Sequence, residues 1–381
     1  MMPVALLSVS LLASAVSDVL NPFVERGELV GGVSVLVDGD RTVVDCVGFA
    51  DAETKRPVTV DDLFMQCSQT KGFCGVTAAI LIEEGKLGLD DPVFRHVPEF
   101  VCKSNITVRM CLNHTAGFDF ELPNYEAMGG WHRRMPLRSV AAVAAGLPLL
   151  FEPGTKVRYS NVGIDVAAAV VEAVSGRRWE DFLKERVLDP LDMTATTFRP
   201  SAVALKHRMS LYSLDSRRLP RKVDAMPQMA PPYDDDRVFP SAGAGLWTTV
   251  RDQLKFYRML MNLGRGANGV RILKEETVKR LLARSTRPKS ITNIYGDVDD
   301  DYSLGLVAPP EDTDDAWFGH GGAWGTQAMV NYHRKQLSLW AYQLEGMPPH
   351  PWKEALERVA EDFFKQGRSV KSVNAHTGRK N

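Results

Sequence analysis

Apolar and polar positions along this chain follow two rhythms, and the change from one to the other divides it. Residues 32–37 and 42–47 are β-rich runs, with Val33, Val35 and Val37 alternating in the first and Val43, Val44 and Val47 carrying the second. Asp38 and Gly39 between them predict a hairpin, because Asp-Gly suits the tight turn that joins two twisted strands. Residues 326–332 and 337–343 repeat the pattern around residues 333–336 and predict a second hairpin. Between the hairpins the spacing becomes helical. The run from Val76 to Ile82 predicts a helix over 76–84 that Gly85 stops. Shorter helices are expected over 108–113, 139–145, 179–187 and 250–263. Residues 163–175 are apolar on nearly every side (Ile164, Val166, Ala167, Val170, Val171), which predicts a buried helix.

The two ends are helical as well. Residues 17–28 read as a helix capped by Ser17, with Val19, Leu20, Phe23 and Val24 on one stripe. Pro22 lies inside that pattern and is cheap only in a first turn, so it points to a start nearer Asn21. Pro351 opens a last helix with apolar positions at 352, 355, 356, 359, 360, 363 and 364, and Gly367 is expected to end it. Two stretches, 118–136 and 212–240, are long, polar and Pro-rich; loops of that length tend to form functional rims.

The fold that accommodates these elements is α+β. One antiparallel sheet is built from the chain's two ends and flanked by the N- and C-terminal helices, with a mostly helical domain inserted between. The expected catalytic unit is residues 17–368, with an α/β part over 17–67 and 275–368 and a helical part over 68–274. Residues 369–381 form a polar tail. A cleft between sheet and helices is the natural place for a site.

Composition narrows the partners. The chain has 381 residues, 44% hydrophobic and 24% charged, with a formal net charge of −1. That balance gives no argument for nucleic acid or a membrane surface, and no apolar run reaches the ~18–20 residues a membrane span needs. Five cysteines without paired metal spacing argue against a disulfide framework and for mostly buried thiols. Residues 3–15 look like the apolar core of a secretory signal ending in Ala-x-Ala, although no Lys or Arg precedes Arg26. Residues 1–16 are thus either a signal remnant or an extra N-terminal helix; the first favours a periplasmic or secreted protein over a cytoplasmic one.

Three clusters carry candidate chemistry. Ser68 and Lys71 stand three apart before the 76–84 helix, so both lie on one face about a turn from each other. A serine needs an adjacent base to become a nucleophile, and a desolvated lysine can be that base. Cys67 next to them has no histidine partner nearby in sequence and reads as packing. Tyr159 and Asn161 stand at a loop–helix junction. A tyrosine near an ammonium can relay protons, and an asparagine amide can hold a substrate, but a half-buried tyrosine and a helix N-cap fit the same positions. Gly319, His320, Gly321, Gly322, Ala323 and Gly325 enter the late strands, where glycines mark either close approach by a ligand or a plain turn.

In this order, Ser68-x-x-Lys71, Tyr159-x-Asn161 and His320-x-Gly322 resemble the motifs of the serine β-lactamase and penicillin-binding-protein superfamily. The nearest branch is that of class C β-lactamases and family VIII carboxylesterases. Residues 84–92, 113–117, 152–154 and 241–246 match its phrases, and the resemblance covers about residues 17–365. His376-Thr377-Gly378 also fits the third motif but has no strand to carry it. The resemblance implies that Ser68 forms an acyl-enzyme while Lys71 and Tyr159 share the base work. Asn161 would hold Lys71 and the substrate, and the N–H groups of Ser68 and Ala323 would form the oxyanion hole beside Gly322. No metal or organic cofactor is implied.

His320 stands where β-lactamases usually carry a lysine. A histidine is mostly neutral at pH 7, which disfavours anionic β-lactams and favours neutral esters. The expectation is therefore a serine hydrolase of small carboxylic esters. A class C-like β-lactamase or D-amino-acid peptidase is the nearest alternative, and a catalytically silent peptidoglycan- or metabolite-binding protein the more distant one.

Overall fold

The computed structural model describes residues 14–123, 135–223, 239–286, 301–309, 311–345 and 350–377. Its strands are β1 (Gly31–Asp38), β2 (Arg41–Asp51), β3 (Arg56–Pro57), β4 (Phe64–Met65), β5 (Leu211–Leu214), β6 (Pro220–Val223), β7 (Trp247–Thr248), β8 (Phe318–Gly322), β9 (Thr326–Asn331) and β10 (Gln336–Ala341). Its helices are α1 (Ser14–Glu25), α2 (Thr70–Glu83), α3 (Val108–Leu112), α4 (Leu137–Gly146), α5 (Asn161–Ser175), α6 (Trp179–Leu183), α7 (Ala202–Leu205), α8 (Val250–Met261), α9 (Glu275–Leu282) and α10 (Pro351–Thr377).

Both predicted hairpins form and meet edge to edge. Six strands make one sheet in the order β3-β2-β1-β10-β9-β8, antiparallel at every pairing. Val33, Val35 and Val37 lie opposite Ala341, Leu339 and Leu337, so chain start and chain end share the centre of the sheet. The first turn closes with Asp38 opposite Arg41, and Gly39 adopts a φ of +61°, which a glycine takes without steric cost.

Alternation along the strands divides the interior in two. On one face Val33, Val35, Val37, Leu337 and Leu339 join the main core, where Phe73 of α2 stacks on Phe256 of α8 at 3.7 Å. On the other face Leu36, Val43, Val47 and Trp340 pack against Val16 and Leu20 of α1 and against Trp352 and Leu356 of α10. The fold is thus an α+β arrangement with α1 and α10 on one side of the antiparallel sheet and the helical layer on the other. Within that layer α5 is buried from Asn161 to Val171, and α2 is buried from Thr70 to Leu81.

Several boundaries differ from expectation, each for a physical reason. α1 starts at Ser14, not at Ser17 or Asn21, and carries Pro22 in its interior. The Asp45 carboxylate accepts the Ser17 N–H at 2.7 Å and so caps the first turn from β2. Residues 3–13 of the signal-like stretch lie outside the described residues; Ser14 and Ala15 belong to α1. Gly367 does not end α10, whose backbone continues to Thr377, because one interior glycine costs a helix only about 1 kcal/mol. His376 and Thr377 of the rejected motif are therefore helical. The stretch 212–240 opens as a hairpin, β5 against β6; residues 224–238, and residues 124–134 of the earlier loop, lie outside the described residues. Cys67, Cys74 and Cys111 are buried, while Cys46 and Cys102 are exposed.

Candidate active site

The nucleophile candidate sits where the chain leaves β4 for α2. Cys67 has a φ of +49°, an uncommon left-handed conformation for a residue with a side chain, and such strain persists only where the surroundings impose it. They do so here. The Gln343 side chain bonds both the N–H and the carbonyl of Met65, at 3.1 and 3.2 Å. Thr70 Oγ1 donates to the Cys67 carbonyl at 2.7 Å, and Thr326 Oγ1 donates to the Gln66 carbonyl at 3.3 Å. Cys67 itself packs with Met65, Leu211, Trp247 and Trp324. Burial pushes its thiol up to about 12, so it stays protonated and is no rival to Ser68. Ser68 follows as a half-exposed residue at the helix entrance.

Lys71, one turn on, is fully buried. Its Nζ lies 3.2 Å from Ser68 Oγ, 2.6 Å from Asn161 Oδ1 and 2.7 Å from the Gly243 carbonyl. Burial lowers its pKa to about 7, against the opposing pull of Glu121 and Asp165. A neutral amine has two N–H donors and one lone pair. The Asn161 and Gly243 oxygens are obligate acceptors and use both donors, so the lone pair faces the Ser68 hydroxyl.

Asn161 does not cap α5. Ser160 does, accepting the Gly163 N–H at 3.1 Å, and this leaves the Asn161 amide free for the site. Its Nδ2 donates to Glu121 Oε1 at 2.5 Å. Tyr159 is buried, with its ring 4.5 Å from Lys71 Nζ, and His114, His320 and Phe120 surround it at ring separations of 4.7, 5.9 and 6.0 Å.

His320 lies on β8 and is 6% exposed. Its Nδ1 is 2.6 Å from the Gly321 carbonyl, which can only accept, so Nδ1 carries the proton and Nε2 is a bare lone pair. Among the described residues nothing pairs with that buried Nε2. Burial and the nearby Lys71 lower the His320 pKa to about 3, which makes it neutral well below pH 7. Gly322 closes β8 against the nucleophile turn: a Cβ there would stand 2.5 Å from the Gln66 carbonyl. Ala323 follows it at the exposed edge of the site. Ser68, Lys71, Tyr159, Asn161, His320 and Gly322 thus converge from three separate segments.

Three further residues belong to this cluster. His114 accepts the Ser160 N–H on Nδ1 at 3.2 Å and lies beside Tyr159 and Tyr302. Burial holds its pKa well below the ordinary value. It stands in the 113–117 phrase, which already carried the sequence resemblance. Glu121 comes from the 118–136 loop. Asp165 Oδ1 accepts the N–H groups of Ala242 and Gly243 at 2.8 and 3.2 Å and so holds the segment that offers its carbonyl to Lys71. A carboxylate set among the apolar residues of the first half of α5 was its one visible signal.

A cavity of about 560 Å³ between the far end of α2 and α9, lined by Ile82, Arg109 and Arg280, lies away from Ser68. A second, of about 460 Å³, is lined by Phe118, Phe120, Glu121, Leu147 and Val162 and so borders the site through Phe120 and Glu121.

The structure is similar to that of EstCE1, a hydrolase with promiscuous acyltransferase activity, at a TM-score of 0.74 and 23% identity over 92% of this chain and 98% of that one. A family VIII carboxylesterase aligns at a TM-score of 0.72 and 23% identity, over 92% and 97%. At these identities the likeness is one of fold. Protein Rv1367c of Mycobacterium tuberculosis (strain ATCC 25618 / H37Rv) is 32% identical over 280 residues, covering 67% of this chain and 68% of its own length. The family model described as Beta-lactamase matches residues 16–358, a span that contains every residue of the site, and the chain therefore belongs to the Beta-lactamase family.

Proposed function

We propose that this protein is a serine hydrolase that cleaves small carboxylic esters through an acyl-Ser68 intermediate. The observation that carries the reading is the Lys71 amine, whose two N–H groups are taken by Asn161 and Gly243 while its third direction faces Ser68 Oγ. As Oγ attacks the ester carbonyl, Lys71 takes its proton. The oxyanion forms against the N–H groups of Ser68 and Ala323, donors of a kind typically worth about 3–4 kcal/mol each. Tyr159, against Lys71, relays the proton that Lys71 has taken to the departing alkoxide as the carbonyl re-forms, which leaves both as they began. Water, deprotonated by the same pair, then releases the acid and restores Ser68. Asn161 keeps one amide N–H for the substrate.

His320 argues for the ester. A neutral imidazole offering a lone pair attracts a hydrogen-bond donor and gives a carboxylate nothing to bind, whereas β-lactams and D-alanyl peptides carry carboxylates. The descriptions of the two structural relatives, one a family VIII carboxylesterase and the other a hydrolase with promiscuous acyltransferase activity, fit the same reading. The test is hydrolysis of p-nitrophenyl butyrate beside nitrocefin, with an alkyl phosphonate probe located by mass spectrometry. The expected result is ester turnover well above nitrocefin turnover, one phosphonate on Ser68, and no turnover by Ser68→Ala. Full turnover by Ser68→Ala, or nitrocefin as the better substrate, would overturn it.

A further inference from the structure

Each oxygen that orients Lys71 is itself held by a carboxylate from elsewhere in the fold. Asn161 Oδ1 faces Lys71 only in one of the two flips of its amide. The opposite end of that amide lies 2.5 Å from Glu121 Oε1, an acceptor that demands the NH₂ group, and this sets the flip. The other oxygen belongs to Gly243. Its loop is held by Asp165 of α5, whose Oδ1 takes the N–H of Ala242 at 2.8 Å, the N–H of Gly243 at 3.2 Å and the Ser241 hydroxyl at 3.4 Å.

We propose that Glu121 and Asp165 are positioning residues of the reaction: acting through the Asn161 amide and the Gly243 carbonyl, they aim the Lys71 lone pair at Ser68. The proposal rests on the reading of Ser68 as nucleophile and Lys71 as base. With the Asn161 amide reversed, two donors would face each other and the lysine would turn its lone pair toward Nδ2, away from the serine. With the 241–245 loop released, the second N–H would lose its acceptor.

The arrangement also has an electrostatic side. Burial lowers the Lys71 pKa, and Glu121 and Asp165 hold it from falling further. Three other groups near Lys71 do not titrate between pH 5 and 9. The Cys67 thiol is held up by burial, and the His114 and His320 rings, packed on Tyr159, are held neutral by burial and by Lys71 itself. Glu121 and Asp165 are thus the two acidic neighbours that keep the base near pH 7.

The experiment measures phosphonylation of Ser68 by a fluorophosphonate between pH 5 and 9, with melting temperature as the fold control. The variants are Glu121→Gln, Glu121→Ala, Asp165→Asn and Asp165→Ala. Glu121→Ala leaves the Asn161 amide without its acceptor and should lower the high-pH plateau about ten- to a hundredfold, the scale of a misplaced catalytic group. Glu121→Gln and Asp165→Asn each keep an oxygen acceptor, so their plateaus should stay within about threefold of wild type while their acid limbs move to lower pH, since a negative neighbour is gone. Asp165→Ala should lose the plateau as well. Limbs that do not move in Glu121→Gln and Asp165→Asn would assign both carboxylates to the fold alone and overturn the proposal, as would an unchanged plateau in Glu121→Ala. Wild-type phosphonylation by Lys71→Ala would instead overturn the underlying reading of the base.

Discussion

Gly243 and Asn161 are packed so closely that a Cβ added at residue 243 would lie 2.7 Å from Asn161 Oδ1 and 2.8 Å from its Cβ and Cγ. Neither partner can yield freely. The Gly243 backbone is held by Asp165, and the Asn161 amide is clamped between Lys71 and Glu121. The glycine is therefore there for close approach, not for an unusual φ. Gly243→Ala should push Asn161 off Lys71 and lower kcat for a nitrophenyl ester about a hundredfold, on the scale of an ångström-sized misplacement. Overpacking of this kind should also cost about 1–3 kcal/mol of stability and lower the melting temperature by a few degrees while the protein stays folded. Assay of kcat beside thermal melting checks this, and an active Gly243→Ala enzyme would show that the clamp does not matter to the base.

The pH dependence of acylation follows from Lys71. With a pKa of about 7, the amine is protonated below that value and cannot take the serine proton. The rate constant kcat/KM should rise about tenfold per pH unit below pH 7 and level off above it. His320 and His114 are neutral throughout that range and add no second limb. A profile for p-nitrophenyl butyrate that is flat from pH 5.5 to 8 would remove Lys71 from the base role.

Much of this was visible in the chain because the signals are local. Valines at every second position with an Asp-Gly turn specify a hairpin over fewer than twenty residues, and β1 and β2 pair as that pattern requires. Ser68 and Lys71 meet because three residues make one helical turn, whatever the rest of the chain does. What stayed hidden acts across the fold. Glu121 reaches Asn161 from 40 positions away, and Asp165 holds a loop 77 and 78 positions on, distances at which no spacing rule operates. α1 begins at Ser14 because Val16 packs in the second core and Asp45 caps the turn from another strand, neither of which its own sequence displays. α9, eight residues long and lying against α2, carries too short a periodic pattern to stand out in its own sequence.

On the proposed reading, His320 is the position at which substrate charge can be exchanged. Its Nε2 presents a lone pair, and lysine there would present a cation instead. His320→Lys should raise the ratio of nitrocefin to nitrophenyl-ester kcat/KM at least about tenfold, since one charge-assisted contact is worth about 1.5–3 kcal/mol. His320→Gln, which keeps an acceptor, should leave the ratio near wild type. Parallel assays of the two substrates decide it; an unchanged ratio in His320→Lys would mean that residue 320 does not read the acid group.

The same two histidines carry a cost in acid. Above pH 6.5 both are neutral, folded or unfolded, and contribute nothing to the pH dependence of stability. Below 6.5 the unfolded chain binds protons that the folded chain refuses until about pH 3 at His320, and to a well-lowered value at His114. Stability is therefore lost as pH falls through that window, by about 1.4 kcal/mol per pH unit for each histidine once below its unfolded pKa. Carboxylates add their own acid dependence, so the informative quantity is a difference in slope. His320→Gln cannot titrate, and between pH 6 and 4 its unfolding free energy in urea should fall less steeply than that of wild type by about this amount. Coincident slopes would mean that His320 takes up its proton near its ordinary pKa in the folded protein. The third motif would then carry a cation below about pH 6.5, and the preference for neutral esters should weaken as the pH falls through that value.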